Sequence, residues 1–311
     1  MRADGVIARL ALAALPPVPA SGARFPDGAD FRVESPSVEG ARVLTEVVRS
    51  AEQQGVVVNR VSQGSGAMLL AESELREMAA IGAEAGIEVS LFTGPREGFD
   101  VGAHARSGDG AAHFGQVRGM RGLAYAVEDI ARACEAGIRS FLIADAGLLD
   151  VLRGMQDARE LPGDCIWKIS VMLAPSNPAG LRVLERLGAT TVNIASDTTV
   201  LQLSEMRAAS SLPIDLYVES PDALGGVVRG HEIGDLIRAG APLYTKFGLR
   251  NSRALYPCGE HLADEACSIA REKVRRAAVA LEWLRRLAPE LEQSAPHASG
   301  LGIPQPAPQP S

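Results

Sequence analysis

Asp215-Leu-Tyr-Val-Glu-Ser-Pro-Asp-Ala-Leu-Gly-Gly-Val-Val-Arg229 reads as a strand, a loop with two glycines and the start of a helix. Leu216 and Val218 alternate with Asp215, Tyr217 and Glu219. Successive strand residues point to opposite faces, so one face is apolar and the other carries two carboxylates and a phenol. A strand interior rarely carries two acids on one side without a partner or a task for them.

The same unit recurs along the chain. Strand-like runs fall at Phe31–Ser35, Val56–Ser62, Ile87–Thr93, Ile138–Asp145, Cys165–Leu173, Thr190–Ala195, Ile214–Glu219 and Pro242–Phe247. Helical patterns follow them, among them Val38–Gln54, Glu72–Ala85 and Leu123–Ala136, and His261–Leu287 closes the set. Gln54-Gly55, Ala85-Gly86, Ala136-Gly137, Leu187-Gly188 and Ala239-Gly240 put glycine where a helix stops and a strand begins. Eight such units in ~250 residues predict an α/β fold, a (β/α)8 TIM-type barrel forming a single domain. No GxGxxG opens a helix after the first strand, which disfavours a dinucleotide fold.

The division is into residues 1–29, 30–288 and 289–311. Leu10 to Leu15 follows Arg2 and Arg9 as in a signal peptide, but Asp4 and Pro16-Pro17 break that pattern. Residues 1–29 are therefore read as a leader or a segment plugging the barrel bottom. Residues 289–311 are rich in Pro, Ala, Gln and Ser and are expected to form a disordered tail.

The totals narrow the function classes. The chain has 311 residues, 46% of them hydrophobic, and a net charge of −7. Without a basic excess there is no pull on a nucleic-acid backbone. No apolar run reaches the ~18 residues of a membrane span. Cys134, Cys165, Cys258 and Cys267 lack CxxC spacing, so reduced thiols in a cytoplasmic protein are expected, and no cluster or zinc site. A small-molecule substrate is the expected partner, with a homo-oligomer as a further option. No cofactor is expected. The alternative is a divalent metal on the long third loop, where His104 and His113 lie near Asp100 and Asp109.

Active sites of such barrels sit at the C-terminal strand ends. Parity turns Arg32, Glu34, Arg60, Ser62, Glu88, Lys168, Asn193, Asp215, Tyr217, Glu219, Tyr244 and Lys246 inward. Arg32, Glu88 and Asp215 lie low and are read as satisfying one another. The candidate catalytic residues are Glu34, Asp145, Glu219 and Lys246. Arg60, Ser62, Gln63, Lys168, Asn193 and Tyr217 are the candidate binding residues of the strands. The loops add Arg96, Gly225, Gly226, Arg250 and Asn251 as anion donors. This set suits acid–base chemistry on a small polar, anionic substrate that carries a carboxylate. Two alternatives stand beside it: a Schiff-base aldolase acting through Lys246 or Lys168, and a binding or partner subunit without catalysis.

Tyr217-Val-Glu-Ser-Pro-Asp-Ala-Leu-Gly-Gly226, Ala241-Pro-Leu-Tyr-Thr-Lys-Phe-Gly-Leu-Arg-Asn251 and Leu255-Tyr-Pro-Cys-Gly-Glu-His-Leu262 together resemble the U32 peptidase (collagenase-like) family, most closely an actinobacterial branch of it. The resemblance spans residues 31–289. It implies a TIM-type barrel and a hydrolase of the peptidase kind; the site residues themselves leave C–C or C–O lyase chemistry open. Members that assist tRNA or quinone hydroxylation carry iron–sulfur cysteines, and the peptidase signature has a cysteine pair. Cys258 and Cys267 do not have that spacing, so no family catalytic residue carries over.

Overall fold

Strand and helix alternate eight times in the computed structural model, which describes residues 9–10, 17–100 and 102–306. The elements are β1 (Phe31–Pro36), α1 (Ala41–Gln54), β2 (Arg60–Gln63), α2 (Glu72–Ala85), β3 (Glu88–Phe92), α3 (Gly119–Glu135), β4 (Ser140–Ile143) and α4 (Ala146–Asp157). They continue as β5 (Ile166–Ile169), α5 (Pro178–Arg186), β6 (Thr191–Asn193), α6 (Val200–Ala209), β7 (Ile214–Glu219), α7 (Ile233–Gly240), β8 (Leu243–Phe247) and α8 (Ala263–Leu287). The strands form one closed barrel in sequence order, and every adjacent pair is parallel.

The core lies between barrel and helices. Val33, Val61, Val89, Leu91, Ile169, Val192 and Leu216 face outward and are wholly buried against Leu44, Leu75, Leu149, Leu181, Leu203 and Leu236 of the helices. Each such side chain contributes about 1.5–3 kcal/mol. The closing helix α8 packs on α1 and spans β1 and β8. Several strands are shorter than the sequence suggests. The stretch 56–58 leads into β2, which Asn59 joins with backbone hydrogen bonds to Val33 and Glu88, and Val171–Leu173 after β5 is a 3-10 turn.

The barrel bottom is closed by both flanks of the chain. Phe25 is buried edge-on to Tyr244 at 5.3 Å, with the Arg32 guanidinium 4.1 Å above its ring. Ser21 N–H donates to Arg238 O at 2.6 Å. Residues 1–8 and 11–16 of the leader lie outside the described residues.

Residues 289–306 depart from the expectation of disorder. They run as a strap without regular structure beneath the barrel. Ser294 Oγ and Ser299 O accept from Arg32 at 3.0 and 2.6 Å, Ser294 O accepts from Asn59 at 2.9 Å, and Gly302 N–H donates to Glu88 at 3.2 Å. Composition reports that the strap has few large apolar side chains, Leu291, Leu301 and Ile303, each only partly buried. It is blind to backbone groups that satisfy buried charges, which is what orders this segment. Gly86 shows how close the strap comes. Its φ of +66 ends α2, and a Cβ there would lie 2.4 Å from the His297 ring. Residues 307–311 lie outside the described residues. No helix among the described residues is long and apolar enough to cross a membrane.

Candidate active site

The inward strand faces form a layered charge network. At its centre Arg60 of β2 is 2.7 Å from Glu88, 2.7 Å from Asp215 and 3.3 Å from Glu34. Its guanidinium carbon sits 3.4 Å over the centre of the Tyr244 ring. Ser140 and Thr191 fill remaining lone pairs of Glu88 and Asp215, each at 2.7 Å. Charge buried this deeply is tolerated because each ion is paired and hydrogen-bonded.

Above this layer Glu34 joins two lysines. Its Oε1 is 3.3 Å from Lys246 Nζ and accepts from Ser62 Oγ at 2.8 Å, and its Oε2 is ion-paired with Lys168. Burial opposes the Glu34 charge, but Lys168, Lys246 and Arg60 outweigh it and hold the carboxyl well below the usual range. Burial pushes Lys168 the other way, down to about 7, because Glu34 and Asp215 do not offset the lost water and the repulsion of Lys246 and Arg60. Lys246 stays above the ordinary lysine value: burial lowers it, but Glu34 and the other groups around it raise it by more. Its ammonium also donates to Asn193 Oδ1 at 2.5 Å and sits 4.5 Å from the centre of the Tyr217 ring. Burial raises Tyr217, which keeps its proton.

This layer is the floor of a cavity of about 310 Å³ at the C-terminal strand ends. Lys246, Asn193, Tyr217 and Ser62 line its floor, and Phe92, Leu142, Met172, Leu224 and Leu255 give apolar walls. Gln63 and Arg96 also line it. Gln63 spends its amide on Gly66, giving to O at 3.1 Å and taking from N–H at 3.0 Å, and so closes its own loop. Lys168, Glu34 and Arg60 lie beneath the floor and reach the cavity only through Lys246 and Ser62.

Other candidates lie elsewhere. The β7 register shifts between Tyr217 and Glu219, which breaks the alternation. Glu219 is consequently turned out of the barrel, 3.8 Å from Arg276 of α8, and accepts Arg250 N–H at 3.1 Å. Asp145 caps α4, accepting from Leu148 N–H at 2.8 Å and from Val117 N–H at 3.1 Å. Gly225 and Gly226 donate their N–H groups within their own turn, to Asp222 O and Pro221 O, each at 3.1 Å. Arg250 and Asn251 do not line the cavity and instead hold Asp222, which does: Arg250 Nε at 3.9 Å and Asn251 N–H at 2.6 Å. His104 and His113 approach to 4.9 Å between ring centres, and no three metal-ligating side chains converge among the described residues. Cys258 is half-buried, and burial pushes its thiol up to about 11.

Ser37, Tyr256 and Lys273 are among the cavity residues that the sequence did not single out. Tyr256 OH hydrogen-bonds Ser37 Oγ and lies so close to Gly64 that a Cβ there would sit 2.3 Å from its ring. Lys273 of α8 did leave a trace. It falls on the buried helix face of Ala266, Ala270, Val274 and Ala277, where a lysine is out of place.

No family model matches this sequence, and no curated protein matches it. Solved structures do. A putative fructose-1,6-biphosphate aldolase from Coccidioides immitis is similar at TM-score 0.51 and 13% identity, over 81% of this chain and 90% of that one. A putative lyase/mutase from Burkholderia cenocepacia follows at TM-score 0.43 and 12% identity, covering 84% of each chain. A U32 peptidase is similar at TM-score 0.39 and 16% identity, over 66% of this chain and 73% of that one. At these identities the likeness is one of fold, and the fold of this chain is the (β/α)8 barrel.

Proposed function

We propose that this protein is a barrel enzyme that binds a small carboxylate-bearing substrate at the C-terminal strand ends and acts on it by acid–base chemistry centred on Lys246. The observation that carries this reading is Lys246 itself. It is a buried ammonium on a cavity floor, shared between Glu34 at 3.3 Å and Asn193 at 2.5 Å. Protonated at neutral pH, it is suited to donate to oxygen where negative charge develops, in an enolate or a tetrahedral intermediate. Glu34 links it to Lys168, whose value of about 7 suits proton exchange near neutrality. Ser62, Asn193 and Tyr217 orient the substrate.

Hydrolysis and C–C or C–O lyase chemistry both fit this arrangement. The stretches 217–226, 241–251 and 255–262 favour hydrolysis through their resemblance to U32 peptidases. The paired lysines favour the lyase.

A second reading takes Lys246 as a Schiff-base nucleophile, because its amine lines the cavity while that of Lys168 does not. Borohydride trapping with a panel of keto acids, their carbonyls at varied distances from the acid group, separates the two. A reduced adduct on Lys246 supports the Schiff base. Saturable keto-acid binding without an adduct, weakened but not abolished in Lys246→Met, supports acid–base chemistry. Keto acids and carboxylates that all fail to bind the native protein would overturn both.

A further inference from the structure

We infer that the acid group of the substrate is held on the cavity wall between Arg96 and Lys273, and that Lys246 on the floor is left for the reacting end. The inference deepens the reading of the cavity as a substrate site and rests on it.

The floor has no charge to spare. Arg60, Lys168 and Lys246 face Glu34, Glu88 and Asp215, and each carboxylate is within 3.3 Å of a cation. Lys246 already gives two of its three N–H donors to Glu34 and Asn193, which leaves one for a reacting oxygen but no unpaired charge for a full carboxylate. At the rim Arg253 is paired with Glu265 at 3.0 Å. An anion placed on this floor meets a neutral network.

The wall is different. Arg96 is 3% exposed and stacked between Phe92 and Phe99, with centroids 4.1 and 4.0 Å from its guanidinium. Its Nη2 donates to Gly64 O at 2.5 Å and Ser65 O at 3.1 Å, but Nε and Nη1 are buried without a partner. Lys273 is also 3% exposed. Its one hydrogen bond goes to Pro36 O at 2.7 Å, and no carboxylate of the described residues pairs with it. The acid of this corner is Glu39. Its oxygens are taken by the N–H groups of Gly64 and Ser65 at 2.9 and 3.0 Å and by Ser65 Oγ at 2.5 Å. Two buried cations thus share one acid that is already committed to the β2 loop. Burial lowers Arg96 to about 10 and Lys273 to about 8, as it does for cations that lack a counter-charge. A carboxylate seated here supplies it, with the Tyr256 and Ser37 hydroxyls on the same wall. The substrate class that follows is a short carboxylic acid whose reacting carbonyl is set off from its acid group.

Calorimetry with butyrate and its neutral amide, butyramide, tests this. Butyrate is expected to bind the native protein at least tenfold more tightly than butyramide. Lys273→Met should weaken butyrate at least tenfold and leave butyramide unchanged, and Lys246→Met should change butyrate less than threefold. Loss of butyrate binding in Lys246→Met with retention in Lys273→Met overturns the wall subsite and leaves the Lys246-centred chemistry standing. Absence of butyrate binding to the native protein also overturns it, while keto-acid trapping at Lys246 is read independently. A measurement on the unaltered chain guards against a misfolded variant. Butyrate should protect Lys273 from reductive methylation at pH 8, and protection of Lys246 alone refutes the assignment.

Discussion

Replacing Lys168 by methionine tests whether the site holds an under-compensated cation. In the folded chain this ammonium is pushed by burial from the ordinary 10.5 down to about 7. The unfolded chain therefore holds the proton more tightly than the folded one. Stability rises with pH between 7 and 10.5, and the penalty is fully present below 7. At about 1.4 kcal/mol for each factor of ten, the ammonium costs roughly 4 kcal/mol at pH 7 and roughly 2 kcal/mol at pH 9. Methionine has a similar shape and no charge. Glu34 keeps Lys246 and Arg60, each at 3.3 Å, and Ser62 at 2.8 Å, so it stays paired. Between pH 7 and 9 the native protein should gain about 2 kcal/mol more than Lys168→Met. Other titrating groups, Lys273 at about 8 among them, are common to both proteins and cancel in the difference. At about 2–4 °C per kcal/mol the gap in melting shift is about 4–8 °C, readable by thermal denaturation in matched buffers. Parallel melting shifts for the two proteins would refute the claim that Lys168 is desolvated beyond what Glu34 restores.

Two further outcomes are expected. Ending the chain after Ala288 strips Arg32, Asn59 and Glu88 of strap partners, and each buried group so exposed to want costs about 1–3 kcal/mol, so melting should fall by about 10 °C or more. Unchanged melting would show that the strap is dispensable. Glu219→Gln and Asp145→Ala should each cost about 1 kcal/mol in denaturant unfolding and leave butyrate binding unaltered, since one residue faces Arg276 and the other caps α4. Loss of ligand binding in either variant would return that residue to the site.

The barrel was legible because alternation is a local rule. Glu34, Arg60, Lys168, Asn193, Tyr217 and Lys246 all face inward as parity demands. Where a second effect intervenes, parity is silent. A register shift one residue before the strand end sends Glu219 outward, and nothing in Tyr217-Val-Glu219 announces it. A carboxylate ending a strand reads alike whether it meets substrate or caps the next helix, and Asp145 does the latter. Lys273 enters the cavity from a helix more than two hundred residues after the β1 residue it touches, Pro36. Its position on the buried face of α8 was visible, but its destination was not.

The strap also bears on the order in which the protein can be completed during synthesis. Arg32 leaves the ribosome on the first strand, yet its partner Ser294 is 262 residues behind it. At translation speeds of 5–20 residues per second that interval is roughly 15–50 s. Through it the barrel floor has an exposed guanidinium at Arg32 and, once Glu88 emerges, a carboxylate awaiting Gly302. Helices and upper strands can pair meanwhile through neighbours close in sequence. The bottom is sealed last, so a chain stalled before the strap carries a wet, charged opening beneath an otherwise assembled barrel.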